Sequence, residues 1–239
     1  MHKRKPNALR KSDSRDRRGA IPVLRALQAG ISLRSWQALA LILGGGFILH
    51  ASALTDPFLA DDYLFLDHVR SRSLVNTILS PDPLGNFFRP VGRQVYFWLN
   101  AHIGNESPVF FHIVNMCLFL TVLGLLFFVA KRLAGQLAAI VAAGFLALHY
   151  AIDIPIRWAS GSQDLLALVG ALITLQMISM GRKWLAVPTF FLSLLCKETV
   201  VFTPLVAILI EHSQCKSWKE AVHRAWPLFL VIAPWAVSG

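Results

Sequence analysis

Long apolar runs that contain no Asp, Glu, Lys or Arg dominate the chain. They cover residues 36–54, 108–130, 136–152 and 165–181. With a rise of about 1.5 Å per residue, helices of these lengths cross, or nearly cross, a hydrocarbon core of about 30 Å. Backbone N–H and C=O groups find no water there, so membrane segments of this kind must be helical. The pattern therefore predicts an all-α, polytopic transmembrane helical bundle.

The last part of the chain is apolar but interrupted by two charges. Lys197 and Glu198 separate the runs 184–196 and 199–210, each of which is too short to span a membrane alone. We interpret these runs as a bent helical hairpin with the two charges at its tip, on the outer side. The alternative is one long helix through both runs, with the lysine in mid-membrane. A final run at 225–237 brings the expected total to about seven membrane segments.

The distribution of charge indicates the orientation of this bundle. Charged residues make up only 15% of the chain, whereas soluble domains carry about 25%. Residues 1–35 hold ten Lys and Arg but two Asp, and basic pairs also follow the apolar runs at 131–132 and 182–183. Because cytoplasmic loops concentrate Lys and Arg, we expect residues 1–35 to form a basic cytoplasmic arm of a multi-pass integral membrane protein.

The same arm bears on binding partners. The net charge of +10 is compatible with nucleic-acid binding, but most of the excess lies in the arm, next to the first apolar run. We therefore expect the arm to contact the anionic headgroups of membrane lipids, and we expect no nucleic-acid partner. Cys117, Cys196 and Cys215 lie in or beside apolar runs without paired spacing, which predicts buried small residues and no metal site.

The segment 55–107 lies between the first two predicted membrane helices and is expected on the outer side. Its apolar spacing predicts short interfacial helices near 61–69, 74–79 and 89–100. It is rich in aromatic residues, namely Phe58, Tyr63, Phe65, Phe87, Phe88, Tyr96, Phe97 and Trp98. An ordered loop of this size usually has a function.

Polar side chains gather at the predicted outer ends of the helices. They are Asp61, Asp62, Arg89, His112, Asn115, His149, Asp153, the segment 158–164, Lys197 and Glu198. A carboxylate can take the proton of an attacking hydroxyl. Arg and Lys can hold a phosphate and stabilise the charge on a leaving group. Their convergence on one side indicates a candidate site for chemistry on a lipid-linked phosphate.

Several of these residues also have purely structural explanations. Asp61 or Asp62 can cap an interfacial helix, because carboxylates favour helix N-termini. Arg89 can contact a lipid phosphate without catalysis. His149 and Asp153 have the i, i+4 spacing of a metal-ligand pair, but a simple contact between the two side chains explains this spacing better.

The order of the motifs resembles that of a known superfamily. Asp-Asp opens the outer loop, Arg-Pro follows at 89–90, Trp-x-Ser-Gly-x-x-Asp at 158–164 and Leu-Leu-x-Lys-Glu at 194–198. With the basic start, this looks like the GT-C superfamily of integral-membrane glycosyltransferases. The branches that it resembles are the protein O-mannosyltransferase-like and TMTC-like proteins and their bacterial relatives. Residues 36–239 then correspond to a GT-C-like transmembrane domain.

The resemblance implies a function. Such enzymes transfer a sugar from a polyprenyl or dolichyl phosphate to a protein, lipid or glycan acceptor on the outer face, and a bacterial inner membrane is the expected location. The resemblance makes Asp61 or Asp62 the catalytic base, with Asp61 slightly preferred. It leaves the need for a divalent cation and the identity of the acceptor open.

The resemblance also assigns the remaining site residues. Arg89 and Lys197 are expected to contact the donor phosphate or to organise the loop, with Glu198 beside them. Asp164 matches the acid that follows Ser-Gly in TMTC-like proteins. His149 matches a His-Pro turn of the family, although Tyr150 stands in the place of the proline.

One departure from the family concerns length. Members usually have eight or more membrane helices, so residues 36–239 are expected to be an incomplete domain that lacks the C-terminal part. This motivates an alternative function, a non-catalytic membrane scaffold or accessory protein of envelope glycan assembly. A small transporter is disfavoured, because charged residues avoid the helix centres and no internal repeat is visible.

Overall fold

The computed structural model describes residues 34–85, 88–215 and 217–232. Within these ranges the ordered elements are all helical and no strand occurs, so the predicted all-α class is confirmed. The chain divides into a unit of residues 1–35 and a unit of residues 36–239. The basic arm lies outside the described residues except for its last two positions.

The helices follow one another with short connections. The first half of the described chain contains α1 (Ser35–His50), which continues as a 3-10 helix (Ala51–Thr55), α2 (Asp62–Arg70), α3 (Leu74–Leu79), a π-helical segment (Pro90–Val95), α4 (Tyr96–Gly104) and α5 (Pro108–Ala134). The second half contains α6 (Gln136–Leu148), α7 (Asp153–Arg157), α8 (Ser162–Ser179), α9 (Lys183–Leu194), α10 (Thr203–Cys215) and α11 (Trp218–Ala225). Short 3-10 helices lie at Tyr150–Ile152, Ala159–Gly161, Glu198–Phe202 and Trp226–Val231.

Three described helices are long and apolar enough to cross a membrane. They are Ser35–Thr55, Pro108–Ala134 and Ala159–Ser179. The pair Gln136–Leu148 and Tyr150–Arg157 is a fourth candidate, bent by 61° at the break between its members. The described residues thus provide three or four candidate spans, and a total of about seven remains a prediction.

The last part of the described chain explains part of the difference between the three or four candidate spans and the expected seven. The apolar helix Lys183–Leu194 is shorter than a full span. The chain is not helical throughout the next apolar run, because α9 ends at Leu194 and α10 begins at Thr203. The single long helix considered above is therefore wrong. The predicted segment 225–237 extends beyond position 232 and so lies partly outside the described residues.

Local sequence signals explain where the long helices begin and end. Pro108 occupies the first turn of α5, where its fixed φ and missing N–H cost nothing. Gly135 ends α5 with φ of +89°, and Gly181 follows α8 with φ of +74°. Glycine adopts this left-handed region without a Cβ clash, so the chain can reverse direction at both points.

The segment between α1 and α5 is packed rather than extended. Helices occur at each place where the spacing of apolar residues predicts them. Phe65 of α2, Phe97 of α4 and Phe111 of α5 are at most 1% exposed and share one aromatic cluster. The Phe65 and Phe97 rings lie 5.1 Å apart, and the Phe97 and Phe111 rings 5.3 Å apart. This cluster fixes the loop helices on the start of α5.

Candidate functional site

The two aspartates at the start of α2 have different environments. Asp62 is fully buried and accepts hydrogen bonds from the backbone N–H groups of Leu59 at 2.9 Å and Ser160 at 2.8 Å. Asp61 is only partly buried and accepts a hydrogen bond from the Ser160 hydroxyl at 3.2 Å. None of these three bonds caps α2, since Leu59 and Ser160 both lie outside that helix. The pair instead ties the start of the loop to the turn before α8.

Burial sets the electrostatics of Asp62. Removal from water raises the pKa of this carboxyl above its ordinary value of 3.8, and the nearby charge of Asp61 acts in the same direction. The N–H groups of Leu59 and Ser160 oppose the rise but do not cancel it. Asp62 also contributes, after burial, to the raised pKa of Tyr96.

Side chains of α5 bind the turn before α8. The Asn115 side-chain amide donates to the carbonyl oxygens of Trp158 at 2.9 Å and Pro155 at 3.2 Å. Tyr96 fixes that amide by donating its hydroxyl to the Asn115 oxygen at 2.7 Å. His112 lies one turn away, with its Nδ1 3.3 Å from the carbonyl oxygen of Ile156. The α5 residues singled out from the sequence therefore support the turn rather than line its open side.

Two arginines contact the first turn of α8. Arg89 directly precedes the π-helical segment, and Arg93 lies within it. Arg89 donates to the side-chain oxygen of Gln163 at 2.7 Å and to Glu198 Oε2 at 2.8 Å, and also pairs with Glu198 Oε1. Arg93 donates to the same Gln163 oxygen at 3.1 Å and to Asp82 Oδ2 at 3.1 Å. Both arginines are buried. Burial opposes ionisation of Glu198, but Arg89 outweighs it and lowers the pKa of that carboxyl.

The break between α9 and α10 completes the cluster. Lys197 donates from Nζ to Asp164 Oδ1 at 2.6 Å. The backbone approaches closely here: the carbonyl oxygen of Leu195 accepts from Val91 N at 3.2 Å, and a Cβ at Gly92 would lie 2.6 Å from the Cys196 oxygen. Glycine at position 92 is therefore required for this contact.

The candidate residues thus fall into two groups. Six of them lie around residues 160–164, where Asp61 and Asp62 bind Ser160, Arg89 with its partner Glu198 binds Gln163, and Lys197 binds Asp164. We call these six residues the charged cluster. His149 is placed differently, because its Nδ1 accepts the N–H of Ala151 at 3.2 Å and its ring stacks on Tyr150. None of the contacts in the described ranges links His149 to the cluster.

The predicted contact between His149 and Asp153 is wrong. Asp153 instead pairs with Arg157 at 2.7 Å and with Nδ1 of His50 at 3.1 Å. The break between α6 and α7 turns His149 away from the helix register that i, i+4 spacing assumes. Among the described residues, no group of three or more His, Cys, Asp or Glu side chains is arranged to hold a metal ion.

Two polar residues that adjoin the cluster, Arg93 and Asp82, were not among the candidates from the sequence. Gln163 lies inside the candidate segment 158–164, although the sequence assigns it no separate role. Arg93 follows Arg89 by four residues, and this spacing places both on one face of a helix. That spacing was the available signal for Arg93, whereas nothing local indicates that Asp82 reaches it.

An apolar cleft adjoins the charged cluster. It has a volume of about 470 Å³ and lies between α8, the 3-10 helix Glu198–Phe202 and α10. Its lining is apolar apart from Asp164, Thr199 and Thr203. The ion pair of Asp164 and Lys197 therefore stands at the edge of an apolar space, an arrangement that suits a ligand with a charged head and a hydrocarbon tail.

Comparison of the chain with protein-family models, with curated proteins and with solved structures finds no match. The functional interpretation therefore rests on the motifs and on the geometry of the cluster.

Proposed function

We propose that the protein is a membrane glycosyltransferase of the GT-C type. It moves a sugar from a polyprenyl or dolichyl phosphate to a protein, lipid or glycan acceptor at the outer face of a bacterial inner membrane. The observation that carries the proposal is that one short stretch of chain, 160–164, contacts Asp61 through Ser160, Arg89 through Gln163 and Lys197 through Asp164, with an apolar cleft beside Asp164. These segments are far apart in sequence and carry the motifs that resemble the superfamily.

Asp61 is the better base of the two aspartates. It is partly exposed, and its contact is with a hydroxyl, which an acceptor hydroxyl can replace. Asp62 is enclosed and its two oxygens hold backbone N–H groups, so it positions the Ser160 turn. In the reaction, the acceptor proton passes to Asp61 while the acceptor oxygen bonds to the anomeric carbon.

The leaving phosphate needs positive charge and a place for its lipid chain. As the bond from the anomeric carbon to the phosphate oxygen breaks, the electron pair stays on the phosphate. Lys197 and Arg89 stabilise that charge by exchanging part of their contact with Asp164 and Glu198 for phosphate oxygens. The cleft beside Asp164 receives the first isoprenoid units.

The direction of α5 and α8 supports the proposed orientation. Both helices have the charged cluster near their N-terminal ends, through Asn115 and Gln163, and basic residues at or after their C-terminal ends. By the positive-inside rule the basic ends face the cytoplasm, which puts the cluster on the outer side.

Replacement of Asp61 by Asn tests the proposed base. The variant keeps the shape of the side chain but cannot accept the proton, so sugar transfer from a polyprenyl-phosphate sugar should fall at least about 100-fold. Asp67→Asn is the matched control. Asp67 is exposed on α2, the helix that Asp61 precedes, and its replacement removes the same charge. Transfer is measured with labelled donors in membranes that contain equal amounts of each protein. Undiminished transfer by Asp61→Asn would exclude Asp61 as the base.

A non-catalytic scaffold is the second candidate, and one observation favours it. The cations of the cluster already pair with carboxylates, as in networks that only hold helices together. A scaffold predicts that the wild-type protein binds a polyprenyl-phosphate sugar and never releases the sugar to an acceptor. Turnover by the wild-type protein that is lost in Asp61→Asn contradicts the scaffold.

A further inference from the structure

A second polar region lies at the other end of the long helices. α8 has 18 residues, which gives a length of about 27 Å. At its end, Arg132 of α5 donates to the carbonyl oxygen of Ser179 at 2.7 Å. The ends of α5 and α8 therefore meet here, roughly one hydrocarbon thickness away from the charged cluster.

Within the described ranges, basic side chains at this end outnumber the acidic ones. Glu211 and Glu220 are both bound by Arg224. In the part of the chain that the structure describes, the ion pairs include none of Arg182, Lys183 and Lys219. The positive charge of the turn between α8 and α9 is thus left for an external anion.

Lys183 also contacts a histidine of α11. Lys183 Nζ lies 3.4 Å from His223 Nε2, so the turn after α8 and helix α11 form one surface. Arg182 precedes Lys183 and is exposed. We call Arg182, Lys183 and His223 the basic triad. Such a cluster between helices has the donors that a phosphate needs, and basic sites of this kind bind acidic lipid headgroups.

Exposed tryptophans border the basic triad. Trp184 is 61% exposed, and its ring lies 6.0 Å from that of Trp226, which is 37% exposed. Lys183 lies above the Trp184 ring at 5.9 Å. Tryptophan with Lys or Arg is typical of the level at which a membrane meets water. Farther along α9, Leu185 and Leu192 are also exposed, and they extend an apolar surface away from the triad.

We propose that the basic triad binds the phosphate of an anionic membrane phospholipid, with the acyl chains lying along the exposed face of α9. Charge complementarity selects this occupant, because the site combines cations that have no ion pair among the described residues with an adjoining apolar surface. A nucleic acid or a free phosphate would leave the apolar part of the site unused. The inference rests on the membrane location in the proposed function and is independent of the transferase chemistry.

Lipid binding by the full chain in nanodiscs of phosphatidylcholine tests the inference. Addition of phosphatidylglycerol should raise the unfolding temperature of the wild-type protein, and native mass spectrometry should show retained lipid. Lys183→Gln should weaken binding about fivefold, and Arg182→Gln/Lys183→Gln roughly 30-fold. Lys131→Gln is the matched control, because it removes one charge from the end of α5 without changing the triad.

Several outcomes would overturn the inference. Equal stabilisation of the wild-type protein by phosphatidylcholine and phosphatidylglycerol would show that no acidic lipid is selected. An equal loss in Lys131→Gln and Lys183→Gln would show diffuse surface charge instead of a site. Equal stabilisation by inorganic phosphate would show that the lipid is not the occupant. Because this assay needs no sugar donor, its result can be interpreted even if the protein transfers no sugar.

Discussion

At the residue scale, Asp62 combines a buried charge with a structural task. Its oxygens satisfy two backbone N–H groups from segments that lie far apart in sequence, Leu59 and Ser160. The same burial raises the pKa of the carboxyl. Ionised Asp62 therefore reduces the stability of the fold while its hydrogen bonds increase it.

This conflict predicts a pH dependence. The pKa of Asp62 is raised above 3.8 in the folded protein, so its contribution to stability is fully present below that pH. The contribution is lost as the pH rises through the higher pKa of the folded state. We expect the unfolding free energy of the wild-type protein, minus that of Asp62→Asn, to fall over this window and then to level.

Thermal unfolding of both proteins in the same detergent, at a series of pH values, measures this difference. The subtraction removes the effect of carboxyl groups that do not interact with Asp62, whereas the interaction with the neighbouring Asp61 remains part of the measured difference. A difference that rises with pH through this window would contradict a raised pKa.

At the element scale, the 3-10 turn Ala159–Gly161 connects the two aspartates to α5 and α8. It supplies Ser160 to both aspartates and receives the support of Asn115 through the carbonyl of Trp158. Close packing leaves no room at Gly161, since an added Cβ would lie 2.5 Å from Cα of Pro155. Any larger residue at this position would therefore force the turn and Pro155 apart.

Gly161→Ala should destabilise the protein by about 1–3 kcal/mol, because the backbone of Pro155 cannot yield as a flexible side chain would. It should also lower sugar transfer by displacing Ser160 from Asp61. Thermal unfolding and the transfer assay measure the two effects. Gly144→Ala in α6 is the control, because an added Cβ there meets nothing within 4 Å. Equal effects of the two substitutions would contradict the tight packing.

At the scale of the whole molecule, charge is separated along the long helices. The charged cluster lies near the start of α8, whereas Arg182 and Lys183 follow the end of this helix. The helices between them present apolar side chains over a length close to that of a hydrocarbon core. This separation predicts that the two ends face opposite sides of a membrane.

Single cysteines test that arrangement after Cys117, Cys196 and Cys215 have been replaced by Ala. Asp67→Cys and Lys219→Cys both place the thiol at exposed positions, one near each end. In sealed vesicles a membrane-impermeant maleimide should label one of the two and reach the other only after permeabilisation. Labelling of both before permeabilisation would contradict a spanning bundle.

Some features of this protein are determined by local sequence, and others are not. The sequence alone determined the helical class and the apolar runs, because hydropathy and glycine or proline at helix ends act over a few residues. It also placed Asp61, Arg89 and Lys197 among the candidates, since polar residues beside apolar runs are recognisable locally.

Only the tertiary structure decided which of these side chains meet. Arg89 pairs with Glu198 across 109 positions, and Asp62 binds Ser160 across 98. Such contacts depend on how several helices pack together, which no short pattern encodes. For the same reason His149, whose spacing from Asp153 indicated a contact, lies apart from the cluster, while Arg93 and Asp82 belong to it.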